Sequence, residues 1–186
     1  MKKTLLFFLA TVCIYTISVI FANSVMTDLS DNILRLHIIA NSNSEIDQQV
    51  KLEVRQAVLE ADINLDDEVL AVKNLRRIES AANKVLSQNG FLYGAKANFG
   101  KFYFPEKTYD NITIPEGRYK SINLVLGDGK GKNWWCVLST PICLADKTVE
   151  YDNSALKEKL NEKTFAIISD ENKYSLKILE VIRKIF

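Results

Sequence analysis

Histidine and cysteine are scarce in this chain of 186 residues, which has one histidine, His37, and three cysteines. A structural zinc site takes four nitrogen or sulfur ligands at characteristic spacings, which these few residues do not provide. Cys136 and Cys143 have six residues between them, whereas a redox CxxC motif has two. These shortages argue against zinc proteins and dithiol oxidoreductases, and we expect no metal or other cofactor.

Net charge is also nearly absent, at +1 for the whole chain. The first 24 residues carry Lys2 and Lys3 and no acid, so the remainder has a net charge of −1. A nearly neutral body offers no global field for nucleic acid, and we expect none as a partner. The content of 47% hydrophobic and 25% charged residues is typical of one globular domain with one core.

The N-terminal segment lacks charge altogether after Lys3, because residues 4–22 form one apolar run. Ala22 and Ser24 are the small residues that a signal peptidase reads, which allows cleavage after Ser24. The run is also just long enough to span a bilayer as an uncleaved anchor. We therefore interpret residues 1–24 as a signal peptide or N-terminal membrane anchor, with the body exported because the basic end stays cytoplasmic.

Export changes the interpretation of the cysteines. Cys13 lies in the apolar run, and Cys136 and Cys143 are then a pair in an oxidising compartment. Thr140 and Pro141 between them favour a turn that brings the two chains together. A disulfide between Cys136 and Cys143 is the favoured prediction, with two buried free thiols as the alternative.

Hydrophobic periodicity predicts an α+β fold in a single domain. After a polar joint at residues 23–32, residues 33–41 are typical of a buried strand. Ser44 and Asp47 resemble a capping box that begins a helix to about Ala61. A second helix follows the acidic break at residues 62–67 and ends at Asn89-Gly90.

The remaining chain changes to strand patterns and then to a charged tail. Residues 91–138 alternate apolar and polar side chains, which indicates a mainly antiparallel strand region. We place the body at residues 25–146. Residues 147–186 form a charged C-terminal segment that ends in an amphipathic helix with an apolar stripe near residues 176–186.

The segment GDGKGKNWWC, residues 127–136, has the composition of a phosphate-binding loop but not its spacing. A Walker loop needs four residues between its glycines and a hydroxyl after the lysine. Gly127 and Gly131 are separated by three residues, and Asn133 replaces the hydroxyl. The pattern indicates a glycine-rich turn between strands.

The adjacent tryptophans Trp134 and Trp135 must face opposite sides of a strand. One alternative is that one ring enters the core and the other faces solvent as a protein-contact residue. The other is that both rings are covered.

An enzymatic interpretation has little support in the residues. An exported thiol-dependent hydrolase could use Cys136 or Cys143 with His37. His37, however, sits in an apolar strand, where a structural histidine is more common, and no two carboxylates are seen to converge. The sequence favours a protein that is not an enzyme.

Two segments together resemble the stage II sporulation protein R family: LRLHIIANSNSEIDQQVKLEVRQAVLE, residues 34–60, and LGDGKGKNWWCVLSTPICLAD, residues 126–146. The resemblance covers residues 33–146 and includes YGAKANFGKFYFPEKTY and IPEGRYKSINLVLGDG in the same order. The combination of HIIANS with GKGKNWWCV is specific. The charged tail after Asp146 lies outside the resemblance.

The resemblance implies a signalling function. Family members are made in the forespore, exported into the space between the two sporulation membranes, and trigger a membrane-embedded aspartic protease of the mother cell. That protease removes the pro-sequence of the sigma-E precursor. The resemblance carries over no contact residue, and from the loop's composition we expect the partner to be contacted by Lys130, Lys132, Asn133, Trp134, Trp135, His37 and Asn41.

Overall fold

A computed structural model describes residues 2–61, 68–109, 111–138 and 153–169. Its helices are α1 (Lys2–Asn32), α2 (Glu45–Glu60), α3 (Glu68–Gln88), α4 (Ser154–Lys159) and α5 (Glu162–Ile168). Its strands are β1 (Arg35–Ile39), β2 (Ala95–Phe104), β3 (Lys107–Tyr109), β4 (Ile112–Ile114), β5 (Gly117–Leu126) and β6 (Asn133–Val137). The predicted α+β class and single domain are confirmed.

The main sheet has the strand order β2-β5-β1-β6. Both outer pairs are antiparallel, as predicted, but the central pair β1–β5 is parallel. Helices α2 and α3 connect β1 to β2, which runs opposite to β1, and β5 runs opposite to β2 and therefore parallel to β1. The carboxyl ends of β1 and β5 therefore lie side by side, and the residues that follow these two strands meet at one edge.

The predicted starts and stops of α2 and α3 agree with the structure. The backbone N–H of Asp47 donates to Ser44 Oγ at 3.2 Å, so Ser44 is the N-cap of α2. Gly90 follows α3 with φ of 76°, the left-handed conformation that ends many helices at glycine. The acidic break at residues 62–67 lies outside the described residues.

Two apolar clusters cover the two faces of the sheet. The first cluster lies between the sheet and helices α2 and α3, and includes Leu36, Ile38, Val54, Ile78 and Cys136. The second cluster lies on the opposite face under α1, α4 and α5, and includes Leu29, Phe104, Tyr119, Leu156 and Ile168. Because both faces are covered, the central strand β1 is almost wholly buried.

The prediction of a polar joint at residues 23–32 is wrong, because helix α1 continues through these residues to Asn32. Ala22, Val25 and Leu29 are buried at 2%, 3% and 0% exposure. They recur at one-turn intervals and pack on the sheet, which stabilises a helix that the polar residues between them obscured. The boundary drawn between residues 24 and 25 thus falls inside a single helix.

Helices α4 and α5 lie in the predicted charged tail and pack against the second cluster. The amphipathic helix predicted near residues 176–186 lies outside the described residues.

Candidate functional site

The loop after β5 crosses the end of β1 and is bonded to the turn that follows β1. The backbone N–H of Lys130 donates to Asn41 O at 3.0 Å, and that of Gly131 donates to Ala40 O at 2.8 Å. The backbone N–H of Asp128 donates to Asn41 Oδ1 at 2.9 Å. The two sequence signatures therefore form one structure, which we call the loop–turn surface, residues 40–44 and 127–135.

The glycines of this loop allow its backbone to lie close to the turn. Gly127 and Gly129 have φ of 54° and 64°, which other residues rarely adopt. A Cβ on Gly131 would lie 2.2 Å from Ser42 O and 2.8 Å from Ala40 Cβ. The predicted glycine-rich turn between strands is confirmed, and its geometry explains the glycines without a phosphate.

The turn is organised around the buried carboxylate of Asp47. Ser42 Oγ donates to Asp47 Oδ2 at 2.5 Å, Asn41 Nδ2 donates to the same oxygen at 3.0 Å, and Tyr93 OH donates to Oδ1. Burial acts to raise the pKa of Asp47, but these bonds and one with Ser44 together hold that pKa below its ordinary value. Asp47 is therefore an ionised structural centre that the capping motif alone did not reveal.

Three lysines lie at or beside the loop. Lys130 and Lys132 are exposed, and Lys130 Nζ pairs with Asp128 Oδ2 at 2.9 Å. Lys51 is buried, and its Nζ donates to Lys132 O at 3.1 Å and to Gln48 Oε1 at 2.8 Å. Burial lowers the pKa of Lys51. Lys51 fixes the loop backbone, Lys130 forms an exposed ion pair with Asp128, and Lys132 is exposed to solvent.

The two tryptophans face opposite sides of β6, as alternation predicted. Trp134 packs against the first cluster, with the Arg55 guanidinium 5.5 Å from its ring centroid. Trp135 packs against the second cluster and stacks on His37, with ring centroids 3.7 Å apart. Both rings are half-buried, so the alternative in which both are covered describes the structure better.

His37 is a buried structural residue on the second-cluster face of β1. Its Nε2 lies 3.0 Å from Asn133 Oδ1, and burial lowers its pKa. Cys136, opposite Leu36 in the β1–β6 register, belongs to the first cluster on the other face. The proposed nucleophile pair of Cys136 with His37 is therefore wrong. Cys143 lies outside the described residues, so its part in that alternative and in a disulfide stays a prediction.

Arg35 is a fully buried charge that the sequence reasoning missed. Its Nη2 donates to Tyr109 OH at 2.9 Å and its Nε donates to Cys136 O at 3.3 Å. The guanidinium lies 4.3 Å from the centroid of Phe104 and 5.1 Å from that of Tyr119. Burial lowers its pKa, and within the described residues no carboxylate forms an ion pair with it. The sign of this buried charge in the sequence is a single arginine inside an apolar strand.

The described ranges contain no group of three histidine, cysteine or acidic residues able to hold a metal ion. Asn41 contributes to the loop–turn surface through its backbone and side chain, whereas His37 supports it from beneath through Asn133. Of the seven expected contact residues, Lys130, Lys132 and Asn133 are exposed on the loop and Asn41 lies in the turn beneath it. Trp134 and Trp135 point to opposite faces of the sheet, and His37 is buried. The contact of these residues with a partner stays a prediction.

Comparison with known proteins gives a family for this arrangement. The chain matches the family model described as stage II sporulation protein R over residues 30–149, which include the whole loop–turn surface. It is 34% identical over 139 residues to stage II sporulation protein R of Bacillus subtilis (strain 168). That match covers 70% of this chain and 61% of the relative, so the chain spans less than two thirds of the relative's length. No solved structure matches the chain.

Proposed function

Because the chain belongs to the stage II sporulation protein R family, we propose that it is an exported sporulation signal. It activates a membrane-embedded aspartic protease of the mother cell across the intermembrane space, and the protease then processes the sigma-E precursor. In this proposal the protein is an activator and not an enzyme. Family membership carries the proposal, and the apolar helix α1 is compatible with export.

The loop–turn surface is the proposed contact with the protease. Lys130, Lys132 and Asn133 are exposed on a loop that three backbone N–H groups fix to the turn. A surface held in this way loses little conformational freedom on binding, which favours affinity. The two lysines suit an acidic extracytoplasmic segment of the protease. His37 and Asn41 act as positioning residues behind that contact.

Charge reversal tests this surface. We expect Lys130→Glu with Lys132→Glu to lower precursor processing about tenfold, because like charges would then face the acidic partner. The assay is co-expression with the protease and the sigma-E precursor in a host that does not sporulate. Lys73→Glu with Arg77→Glu, an equal charge change on exposed positions of α3, is the matched control and should leave processing unchanged. Equal losses in both double variants would mean that net charge matters and the loop–turn surface does not.

We also propose a disulfide between Cys136 and Cys143, which closes a short loop after β6. The Cys136 side chain is fully buried, and the free cysteine of the described residues is Cys13. Such a bridge contributes about 2–3 kcal/mol in the chain-entropy model. Alkylation in denaturant followed by intact mass should label Cys13 alone unless a reductant is added. Labelling of all three cysteines without reductant would contradict the bridge.

A further inference from the structure

Helix α1 has two halves with opposite surroundings. Its first part, residues 4–21, is apolar and exposed except at the half-buried Ser18 and Val19, with Leu6 at 69% and Phe7 at 73% exposure. Within the described residues it is the one helix long and apolar enough to cross a membrane. Its last part is buried in the second cluster through Val25 and Leu29. One unbroken helix therefore joins an exposed apolar segment of membrane-spanning length to the core of the domain.

Polar contacts hold the domain-side half of α1 in place. Asp28 Oδ2 accepts from the backbone N–H of Asn161 at 3.1 Å and from Asn161 Nδ2 at 2.6 Å. Asn161 is also the N-cap of α5, where its Oδ1 accepts from Thr164 N at 2.8 Å. The end of α1 is thus bonded to a helix about 130 residues later, since Asp28 and Asn161 are 133 positions apart. This half of α1 is an integral element of the fold.

The sequence site for signal peptidase falls in this integral part. Ala22, the first of the two small residues, is 2% exposed and belongs to the second cluster. Ser24 lies in the same helix, so a peptidase could reach the bond after Ser24 only if the helix opened there and Ala22 left the core. Cleavage of this bond would therefore have to precede folding of the domain.

Length and charge agree with a permanent span. Residues 4–22 in a helix cover about 28 Å at 1.5 Å per residue, close to the hydrocarbon thickness of about 30 Å. An ordinary signal peptide has an apolar stretch of only about 7–15 residues. Lys2 and Lys3 precede the run, and because basic residues stay on the cytoplasmic side, this gives the orientation with the domain outside.

We propose that α1 is an uncleaved anchor, and that the mature protein is displayed on the outer face of a lipid bilayer instead of being released. The helix emerges from the bilayer directly into the domain core without a flexible linker. The domain is consequently held at the membrane surface in one orientation, with the N-terminal end of α5 beside Phe21 and Val25 of the emerging helix. This inference concerns the chain and the bilayer alone and does not depend on the proposed protease.

The test compares the full chain with Ser24→Gln, both tagged at the C-terminus and expressed in a host that has signal peptidase. Ser24 is exposed, so the larger side chain blocks cleavage without disturbing the packing. We expect both proteins to keep the same N-terminus, to show intact masses that differ only by the substitution, and to stay in carbonate-washed membranes. A wild-type protein that begins at Val25 in the soluble fraction, beside a retained Ser24→Gln variant, would overturn the proposal.

Discussion

Replacement of Gly131 by alanine is expected to remove most of the signalling activity and to lower the free energy of unfolding by about 1–3 kcal/mol. The added Cβ would lie 2.2 Å from Ser42 O and 2.7 Å from Ser42 C, which are backbone atoms of the opposing turn. Relief of this clash must separate the loop from the turn. The bonds from Lys130 N to Asn41 O and from Gly131 N to Ala40 O would then lengthen.

Gly90→Ala is the matched control for that prediction. Gly90 has φ of 76° and open space where its Cβ would lie, so alanine there is strained by its backbone conformation alone. The strain is worth about 1–2 kcal/mol, which overlaps the loss expected for Gly131→Ala. Urea unfolding measures stability, and the processed fraction of the precursor measures activity. If Gly131→Ala matched Gly90→Ala in both measurements, the fixed geometry of the loop–turn surface would not matter for signalling.

Truncation of Arg35 to alanine is expected to lower the free energy of unfolding by about 2–5 kcal/mol, because it leaves a cavity in the second cluster. It also removes the donors to Tyr109 OH and to Cys136 O, which join β1 to β3 and β6. Tyr109 OH keeps its hydrogen bond to Trp135 O at 3.2 Å, so the lost packing accounts for most of the expected loss. Since Trp135 stacks beside this cluster, tryptophan fluorescence during urea unfolding follows the change directly.

The Arg35→Met variant tests the contribution of the guanidinium charge separately from that of the side-chain volume. Methionine fills similar space without a charge, and uncharged replacements of buried ionic groups are often neutral or stabilising. We expect this variant to stay within about 1.5 kcal/mol of the wild type, as volume-conserving substitutions usually do. A loss as large as that of the alanine variant would mean that the guanidinium itself, through Tyr109 and the Phe104 ring, stabilises the fold.

Local sequence patterns correctly predicted the elements that depend on residues close together in the chain. The Ser44 cap, the end of α3 at Gly90 and the glycine turn after β5 each depend on a few neighbouring residues. The continuation of α1 depends on contacts of Val25 and Leu29 with distant strands, so the polar residues around them misled the prediction. The parallel β1–β5 pair equally depends on the strand order and on the antiparallel β2–β5 pair, which local periodicity does not encode.

In the candidate site, too, local sequence predicted some features and not others. The exposure of Lys130 and Lys132 followed from composition, since solvated lysines in a glycine loop need no tertiary contact. The role of Asp47 could not be predicted from composition, because its partner Tyr93 is 46 positions away. The separation of Cys136 from His37 also required the β1–β6 register, which places them on opposite faces of the sheet. Sequence therefore predicted the glycine turn but not the residues that hold it against the turn after β1.

The central claim is that this protein switches on the protease, and the most direct measurement is precursor processing with and without it. The protease and the sigma-E precursor are produced together in a non-sporulating host, and the processed fraction is read from a single blot. We predict processing only when the full chain is co-expressed. An equal processed fraction in its presence and absence would contradict the account.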